Sequence, residues 1–327
     1  MRAIIQDTYG DPKALLEVRE MDPPTPQVDE VVVRAVAASL HRGDCFVALG
    51  KPLLMRPVTG LLRPKVGIPG FDVAGVVEAV GASGTDFVPG DEVFGSCEGT
   101  HGACAEYVAA KASKLVRKPS NVTFEQAAAV PTSGLAALHG LRDAGRLQIG
   151  QRVLVNGASG GVGSFAVQIA KALGAHATGV CSTRNVDLVR SIGASEAIDY
   201  TKDDFAKGDR SYDLILDNVE NRSLKDLRRA LSPGGTLILN SGTGATGFRL
   251  LVRLTKPMLL APFVKERLVR YLSVPRAEDL AVLAGFLESG RVAPVIDRTY
   301  TLEHVPDAME HLCAGHARGK VVIRIDS

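Results

Sequence analysis

Residues 153–175, VLVNGASGGVGSFAVQIAKALGA, constrain the fold of this chain more than any other stretch. A short apolar run enters a cluster of small residues, and apolar residues at helical spacing follow that cluster. A strand, a tight turn and a helix that begins at the turn aim backbone N–H groups and the positive end of a helix dipole at an anion. The pattern therefore predicts a turn that binds the phosphates of a dinucleotide rather than an ordinary glycine-rich turn.

The predicted turn departs from the usual G-x-G-x-x-G pattern at one position. The first glycine is here Ala158, whereas Gly160 and Gly163 match the other two. Gly160 would let the backbone approach a pyrophosphate, and Gly163 would let the helix pack closely on its strand. The candidate cofactor contacts in the turn are Ala158, Ser159, Gly160, Gly161, Val162 and Gly163.

Short apolar strands alternate with helical segments through the middle of the chain. Helices are predicted over 185–192 and 224–231. The predicted strands are VLVN from 153, ATGVC from 177, AIDY from 197, DLILD from 213 and TLILN from 236. Alternating strands and helices form parallel sheets that are covered on both faces. The sequence therefore predicts an α/β fold with a doubly wound parallel sheet of Rossmann type.

The parts of the chain on either side of this α/β region have a different residue pattern. β-branched runs separated by Gly, Pro and Asp turn signals lie at 30–38, 70–80, 91–94 and 107–109. These runs predict the strands of a β-rich domain. Near the end of the chain, a helix is predicted over 278–288 and a last strand over 320–324.

Composition argues against several classes of function. The 327 residues are 46% hydrophobic, which is enough for two domains with real cores. A net charge of +2 gives no reason to expect a nucleic-acid partner. There is no apolar N-terminal signal and no uninterrupted apolar run long enough to cross a bilayer. We therefore expect no stable membrane insertion.

The cysteines favour a reducing compartment. There are five of them, an odd number, and they are scattered along the chain at Cys45, Cys97, Cys104, Cys181 and Cys313. This pattern fits free thiols better than a disulfide framework. We therefore expect reduced cysteines and a cytoplasmic location.

Two apolar stretches interrupted by Lys, Arg and Pro do not fit the strand and helix patterns. They cover residues 51–68 and 248–270. Loop and helix packing at a domain interface is the expected role, and a substrate-pocket wall or a dimer contact is the alternative. Their prolines argue against a helix on a membrane surface.

Six motifs in a fixed order make the sequence similar to the medium-chain dehydrogenase/reductase superfamily. They are GFDVAGVVEAVG, PGDEVFG, NGASGGVG, YDLILD, SPGGTLIL and GKVVI. The chain most resembles the zinc-independent quinone oxidoreductases and related enone reductases. This resemblance implies a Rossmann domain at 126–275 inserted in a GroES-like β-rich catalytic domain built from 1–125 and 276–327. It also implies NAD(P)H bound in a cleft between the domains, and a homodimer.

The resemblance also bears on zinc. Zinc alcohol dehydrogenases of this superfamily hold the metal with Cys, His and Cys, and the matching positions here are His41, Phe71 and Thr132. Two of the three cannot supply a suitable ligand, and the four-cysteine loop of a structural zinc site is missing. A further trio lacks a fourth ligand nearby and is interpreted as coincidence: Cys97, His101 and Cys104. We expect no bound zinc.

The expected absence of zinc favours particular substrates. Oxidation of a simple alcohol passes through an alkoxide, which a Lewis acid would have to stabilise. Quinones and α,β-unsaturated carbonyls need no such metal, because the charge that develops on hydride transfer spreads to a conjugated oxygen. We therefore expect hydride transfer from NADPH to a small-molecule quinone or enone. The alternatives are a non-redox protein that binds NADPH and a specialised biosynthetic enzyme on the same scaffold.

The end of the second predicted strand, TGVCSTRN, favours NADPH over NADH. An NAD site places an acid there for the ribose diol, but Ser182, Thr183 and Arg184 follow instead. Two hydroxyl donors and a guanidinium suit a 2′-phosphate, although Arg184 could also be an ordinary solvated side chain. By resemblance, Tyr200 contacts the same phosphate.

Further cofactor contacts come from the resemblance. Asn240, Ser241 and Gly242 would lie near the nicotinamide. Lys320 would lie near the pyrophosphate, although a lysine at the start of a strand could also be only a solvated side chain. The role of Asn218 stays open between a cofactor contact and a buried turn residue.

The reduction also needs a proton. By resemblance, His41 faces the nicotinamide end of the cleft, and a histidine can both hydrogen-bond an acceptor oxygen and donate a proton near neutral pH. The alternative is that His41 is only a structural hydrogen-bond partner in this loop. Asp44 could orient its imidazole or only anchor the loop. Tyr9 and bulk water are the alternative proton donors.

Overall fold

The computed structural model describes residues 1–53, 56–83, 85–97, 102–207, 210–240, 252, 255–257, 259–315 and 317–325. The chain forms two compact units. The first unit contains Met1–Leu135, Val274–Gly290 and Pro294–Ser327, and the second contains Ala136–Ser273 and Arg291–Ala293. The sequence placed the first boundary between 125 and 126, whereas the structure assigns residues 126–135 to the first unit.

The strands of the described residues are numbered along the chain. They are β1 (Arg2–Ile5), β2 (Glu17–Glu20), β3 (Glu30–Leu40), β4 (Asp72–Val80), β5 (Glu92–Ser96), β6 (Tyr107–Lys111), β7 (Leu115–Arg117), β8 (Arg152–Asn156), β9 (His176–Cys181), β10 (Glu196–Asp199), β11 (Tyr212–Asp217), β12 (Leu231–Leu239), β13 (Arg267–Val269), β14 (Ile296–Thr301) and β15 (Lys320–Arg324).

The α-helices are numbered in the same way. They are α1 (Pro12–Leu15), α2 (Arg42–Leu49), α3 (Arg56–Thr59), α4 (Phe124–Ala128), α5 (Pro131–Leu138), α6 (Gly161–Ala172), α7 (Val186–Ser191), α8 (Leu224–Arg229), α9 (Ala277–Glu288) and α10 (Val305–Cys313). A π-helical segment, His139–Ala144, continues directly from α5.

The second unit contains a parallel sheet with the strand order β10-β9-β8-β11-β12-β13. This is the doubly wound order of a Rossmann fold, so the predicted α/β class is confirmed. Five of the six strands are those that the sequence predicted. The three residues of β13, RLV, lie in one of the two irregular apolar stretches, and no strand was predicted there.

The first unit is built on a mostly antiparallel sheet with the order β14-β15-β3-β4-β5-β7, and β6 also pairs with β3. The last strand, β15, pairs antiparallel with β3 and parallel with β14, so both ends of the chain contribute to one sheet. β1 and β2 form a separate antiparallel pair. The sequence predicted β3, β4, β5, β6 and β15, but not the other four strands of this unit.

Glycines shape the turn between β8 and α6. Gly157 has a φ of +79°, a left-handed conformation that costs a residue with a Cβ about 1–2 kcal/mol. A Cβ on Gly163 would lie 2.1 Å from the carbonyl oxygen of Gly157. Only a glycine at 163 therefore lets α6 start so close to the turn, as the sequence indicated.

The two apolar basic stretches contain only short elements among the described residues. In 51–68, Leu61 and Leu62 are 69% and 89% exposed, and in 248–270 Phe263 is 84% exposed. Within the described residues, no helix is both long and apolar enough to cross a bilayer.

One expectation about the cysteines is wrong. Cys45 and Cys313 form a disulfide with their Cα atoms 5.7 Å apart, although 268 positions separate them in the chain. The other three, Cys97, Cys104 and Cys181, are buried and form no disulfide. Scatter along the sequence did not reveal the pair because the fold brings α2 and the end of α10 together.

Gly163→Ala is expected to destabilise the protein by about 1–3 kcal/mol, since the new methyl group would overlap a backbone carbonyl that cannot rotate away. Chemical denaturation measures the loss. The matched control is Gly285→Ala in α9, where a Cβ meets nothing within 4 Å. That variant should be stabilised by roughly 0.5–1 kcal/mol through helix propensity. Equal stability of the two variants would contradict the packing argument.

Candidate active site and cofactor site

His41 and Asp44 form a hydrogen-bonded pair in the first unit, where β3 ends and α2 begins. His41 is the N-cap of α2, and its backbone N–H donates to Asp44 Oδ2 at 2.7 Å. Nδ1 of the same imidazole lies 2.5 Å from that oxygen. A Cβ on Gly43 would lie 2.8 Å from His41 Nε2, so the glycine leaves room for the ring. The sequence indicated the pair but not the role of Gly43.

Asp44 also anchors the loop before β4. Its Oδ1 accepts a hydrogen bond from the Gly70 backbone N–H at 2.8 Å. The Asp44 side chain is 1% exposed, whereas that of His41 is 19% exposed. The hydrogen bonds of Asp44 thus reach the His41 imidazole and backbone as well as the loop before β4.

The pair shifts both pKa values. Burial disfavours the charged imidazole, but the charge and hydrogen bond of Asp44 outweigh it and raise the pKa of His41 above 6.5. Burial likewise disfavours the Asp44 carboxylate, but the charge of His41 and three hydrogen bonds lower the pKa of Asp44 below 3.8. The raised pKa makes His41 a proton donor over a wider range of pH.

The structure brings the three zinc-ligand positions of the resemblance together without three metal ligands. The Phe71 ring contacts the His41 imidazole edge-on, with ring centroids 4.9 Å apart. Thr132 donates its hydroxyl and its backbone N–H to Asp72 Oδ1, at 2.6 and 3.0 Å. An aromatic ring and a hydroxyl bound to a carboxylate thus occupy the positions where a zinc site would need an imidazole and a thiolate.

Lys320 lies inside the first unit. Its side chain is 1% exposed, and Nζ lies 3.4 Å from Asp72 Oδ2, which also accepts from the Ser39 hydroxyl. The sequence suggests either a pyrophosphate contact or a solvated side chain for Lys320, and the burial of the side chain contradicts the second of these. The pyrophosphate contact stays a prediction.

Tyr9, the alternative proton donor, is occupied elsewhere in the first unit. Its hydroxyl donates to the Gly60 carbonyl at 2.6 Å and lies 3.2 Å from Thr59 Oγ1. The Arg56 guanidinium stacks over its ring at 4.6 Å. None of these contacts joins Tyr9 to the His41–Asp44 pair.

The candidate phosphate-binding turn lies in the second unit. α6 begins at Gly161. The N–H groups of Gly161, Val162 and Gly163 therefore have no carbonyl acceptor within the helix and can donate to a ligand. A Cβ on Gly160 would meet only a carbonyl oxygen at 3.5 Å, so the backbone there is open to close approach. Ala158 differs, because its side chain is buried and its N–H donates to Val180 O in β9.

Asn185 connects this turn to the end of β9, and the sequence did not single it out. Its Nδ2 donates to Ser159 Oγ at 2.9 Å and to Ser182 Oγ at 3.3 Å. Since both serine oxygens accept from Asn185, their own protons can point outward to an anion. Asn185 is 5% exposed, and no described residue donates to its Oδ1.

A carboxylate from the neighbouring strand lies beside the predicted 2′-phosphate contacts. Asp199 ends β10, and its Oδ2 accepts the Thr183 hydroxyl at 2.6 Å while Oδ1 accepts the Thr201 hydroxyl at 2.7 Å. The hydrogen bond from Thr183 is the largest cause that lowers the pKa of Asp199. The Thr183 hydroxyl therefore donates to Asp199 and not to a ligand, whereas the sequence predicts that both Ser182 and Thr183 donate to a 2′-phosphate. Arg184 and Tyr200 are both exposed beside this cluster.

A chain of amides crosses the carboxyl ends of β12, β11 and β8. Asn240 Nδ2 donates to Asn218 Oδ1 at 2.8 Å, and Asn218 Nδ2 donates to the Asn156 carbonyl at 3.1 Å. Asn156 Nδ2 donates in turn to the buried carboxylate of Asp217 at 2.8 Å. Asn218 is thus a linking residue at this edge. Two predicted contacts, Ser241 and Gly242, lie outside the described residues.

Besides Asp217, another acidic side chain that the sequence did not reveal, Glu220, lies close to the carboxyl edge of the parallel sheet. Glu220 has a φ of +55° and is 4% exposed. Its carboxylate forms a two-point ion pair with the Arg270 guanidinium, at 2.9 and 2.6 Å. A left-handed backbone at a residue with a long side chain costs about 1–2 kcal/mol, so the ion pair offsets the strain.

Within the described residues, no cluster of three or more His, Cys, Asp or Glu side chains could hold a metal. Of the trio noted in the sequence, His101 lies outside those residues. Burial raises the pKa values of the Cys97 and Cys104 thiols, so neither readily forms the thiolate that zinc binds.

Comparison with known proteins identifies the family. The alcohol dehydrogenase GroES-like domain family matches residues 27–120, and the zinc-binding dehydrogenase family matches residues 192–323. The chloroplast envelope quinone oxidoreductase homolog of Arabidopsis thaliana is 33% identical over 99% of this chain and 98% of its own length. The chain belongs to the medium-chain dehydrogenase/reductase superfamily. Within it, it belongs to the branch that resembles quinone and enone reductases.

Other members support the same placement. The NADPH-dependent alkenal/one oxidoreductase of Arabidopsis thaliana is 31% identical over 99% of this chain and 79% of its own length. The structure of the quinone oxidoreductase from Coxiella burnetii superposes with a TM-score of 0.87, at 28% identity, over 100% of this chain and 99% of that one. The GroES-like and Rossmann fold expected of a superfamily member is therefore confirmed.

Asp44→Asn is expected to lower the pKa of His41 below its ordinary value, because burial remains while the opposing charge is removed. Imidazole NMR titration measures the shift, and the signals of the other histidines serve as the control. An unchanged His41 pKa would contradict the role of Asp44.

The same pair gives a pH dependence of stability. The stabilisation of charged His41 is complete below pH 6.5 and is lost as pH rises through its raised pKa. The stabilisation of charged Asp44 is present above pH 3.8 and is lost as pH falls through its lowered pKa. Near neutral pH, Asp44→Asn should therefore cost about 1–3 kcal/mol of unfolding free energy.

Proposed function

We propose that this protein is an NADPH-dependent reductase of quinones or α,β-unsaturated carbonyls that works without zinc. The observation that carries the proposal is the His41–Asp44 pair, with Nδ1 and Oδ2 at 2.5 Å, beside Phe71 and Thr132 in the other zinc-ligand positions. This arrangement can donate a proton but offers no three-ligand metal site. The names of the quinone and alkenal/one oxidoreductase relatives support the same reaction class.

The residues of the second unit fit a dinucleotide. The first N–H groups of α6 and the open backbone at Gly160 would hold the pyrophosphate, as the predicted turn requires. Ser159 and Ser182 supply hydroxyl donors, and the buried Asn185 Oδ1 offers an acceptor. Asn240 and Asn218 lie at the carboxyl edge of the sheet, where doubly wound folds bind their ligands.

When bound, the reduced nicotinamide supplies a hydride. His41 holds the proton that completes the reduction, since Nδ1 is held by Asp44 and leaves Nε2 to face an acceptor oxygen. Asp44 fixes the ring orientation and favours the charged imidazole. Phe71 packs against the ring. Tyr9 stays the alternative donor, although its proton is held by Gly60.

The preference for NADPH over NADH rests on the cation of Arg184 and on the absence of an acid at the end of β9. Tyr200 is 53% exposed next to this corner, where by resemblance it would contact the same 2′-phosphate. Asp199 reduces the preference, because its carboxylate stands in the same cluster and occupies the Thr183 hydroxyl. Arg184 must therefore outweigh a nearby negative charge. Lys320 near the pyrophosphate, the homodimer and the cytoplasmic location stay predictions from the sequence.

NADPH oxidation should be detected with 9,10-phenanthrenequinone, a naphthoquinone or a set of enones. His41→Asn should lower turnover by about 100-fold, because general acid catalysis contributes that much or more. In the wild type, turnover should fall as pH rises through the raised pKa of His41, and the variant should lose that dependence. NADPH affinity, measured by fluorescence, should not change.

Two results would contradict this assignment. An unchanged turnover and pH profile in His41→Asn would show that the proton comes from Tyr9 or water instead. An absence of NADPH oxidation with every acceptor, despite NADPH binding, would favour the non-redox alternative.

Arg184→Ala should weaken NADPH binding by about 1.5–3 kcal/mol, the usual contribution of a hydrogen bond to a charged group. NADH binding should change little, because NADH lacks the 2′-phosphate. The matched control is Arg152→Ala, which removes the same charge at the first residue of β8, the opposite edge of the sheet. Equal affinities of the wild type for NADPH and NADH would contradict the proposed preference.

A further inference from the structure

The Cys45–Cys313 disulfide joins two helices of the first unit at a chemically important position. Cys45 directly follows Asp44 in α2, and Cys313 is the last residue of α10. The Cα atoms lie 5.7 Å apart, within the usual range for a disulfide. Because 268 positions separate the two residues, the bond ties the early part of the chain to its end.

A second contact supports the same junction. A Cβ on Gly315 would lie 2.7 Å from Arg42 Nη1, so the Arg42 guanidinium rests on the carboxyl end of α10. A cation there is favoured by the negative end of the helix dipole. The first turn of α2 is therefore held against α10 by an electrostatic contact at Arg42 and a covalent bond at Cys45.

The two sulfurs differ in access. Cys45 is 2% exposed, whereas Cys313 is partly exposed at the helix end. Cys313 is therefore the side from which we expect an attacking thiolate to approach the disulfide. In compartments that keep most thiols reduced, a disulfide of this kind is more often a sensor than a permanent crosslink.

We propose that Cys45 and Cys313 form a redox-modification site that sets how firmly α2 holds Asp44 against His41. The effect on turnover rests on the proposed function of His41, whereas the thiol chemistry and the helix motion do not. The oxidised protein is the fully active form, and reduction loosens α2.

The exchange is balanced with a dithiol as the reductant. Its first thiolate attacks Sγ of Cys313, the protein S–S bond breaks, and Cys45 leaves as a thiolate that takes up a proton. The second thiol of the reductant then displaces Cys313 and leaves as a cyclic disulfide. Two electrons and two protons pass to the protein, and a disulfide oxidant reverses the reaction.

Reduction should loosen α2 without unfolding it, because other contacts remain. Gly70 still donates to Asp44 Oδ1 at 2.8 Å. Gln6 Nε2 and the Gly10 N–H still donate to the Ala48 carbonyl, at 2.8 and 3.1 Å. The expected result is a graded loss of alignment between Asp44 and the imidazole rather than the loss of the fold.

The test compares the full-length wild type with the double variant Cys45→Ala/Cys313→Ala, each with and without dithiothreitol. Intact mass after alkylation reports the bond, and hydrogen exchange reports motion in Arg42–Leu49 and Val305–Cys313. On reduction, the wild type should exchange faster in both helices and lose several degrees of Tm. Its turnover should fall about 3–10-fold, a modest share of a general acid's contribution, and the alkaline limb of its pH profile should move to lower pH.

The double variant should behave as the reduced wild type and should not respond to dithiothreitol. Cys313→Ser alone, a change at the more exposed position, serves if the double variant does not fold. NADPH affinity should be the same in every form.

Three results would overturn the proposal: free Cys45 and Cys313 thiols in protein purified without reductant, an unchanged turnover and pH profile on reduction, or an equal response of the double variant to dithiothreitol. If exchange in α2 responds to reduction but neither redox form oxidises NADPH with any acceptor, the proposed function fails while the redox control of α2 stands.

Discussion

The carboxylate of Asp44 is the group on which the arrangement of the first unit's candidate site depends. It is almost fully buried, and it accepts from the backbone and imidazole of His41 and from the Gly70 backbone. A buried carboxylate is stable only when its oxygens are paired. The same requirement fixes the first turn of α2, the loop before β4 and the orientation of the imidazole, so local folding and the proposed proton donor depend on a single side chain.

Polar side chains at the carboxyl edge of the second unit's sheet are organised in the same way. Asn156, Asn218 and Asn240 pass hydrogen bonds from strand to strand, and Asp217 ends the chain of bonds. At another corner, Asp199 holds Thr183 and Thr201. Side chains that bind one another are ordered before a ligand arrives, which reduces the entropy lost on binding. The cost is that some donors, such as the Thr183 hydroxyl, are already used.

The disulfide changes the interpretation of the cysteines. The sequence predicts five reduced thiols, yet two of the cysteines meet beside Asp44. A covalent bond one residue from the carboxylate that orients His41 links the redox state of the surroundings to the proposed proton donor. The activity of the site would then depend on the redox conditions around the protein.

The parallel sheet, the glycine turn and the His41–Asp44 pair could be predicted because each depends on residues close together in the chain. Strand and helix periodicity is local, the overlap at Gly163 arises within one turn, and His41 and Asp44 are three residues apart. Resemblance to a known superfamily added the joining of both chain ends in one sheet, which β3 and β15 show.

Only the tertiary structure decided which distant side chains meet. Cys45 pairs with Cys313 across 268 positions, Lys320 with Asp72 across 248, and Glu220 with Arg270 across 50. Thr183 meets Asp199 only because β9 and β10 are neighbours in the sheet. A sequence pattern carries no information about which of several buried acids faces a given base. That choice follows from strand order, helix packing and the need of each buried polar group for a partner.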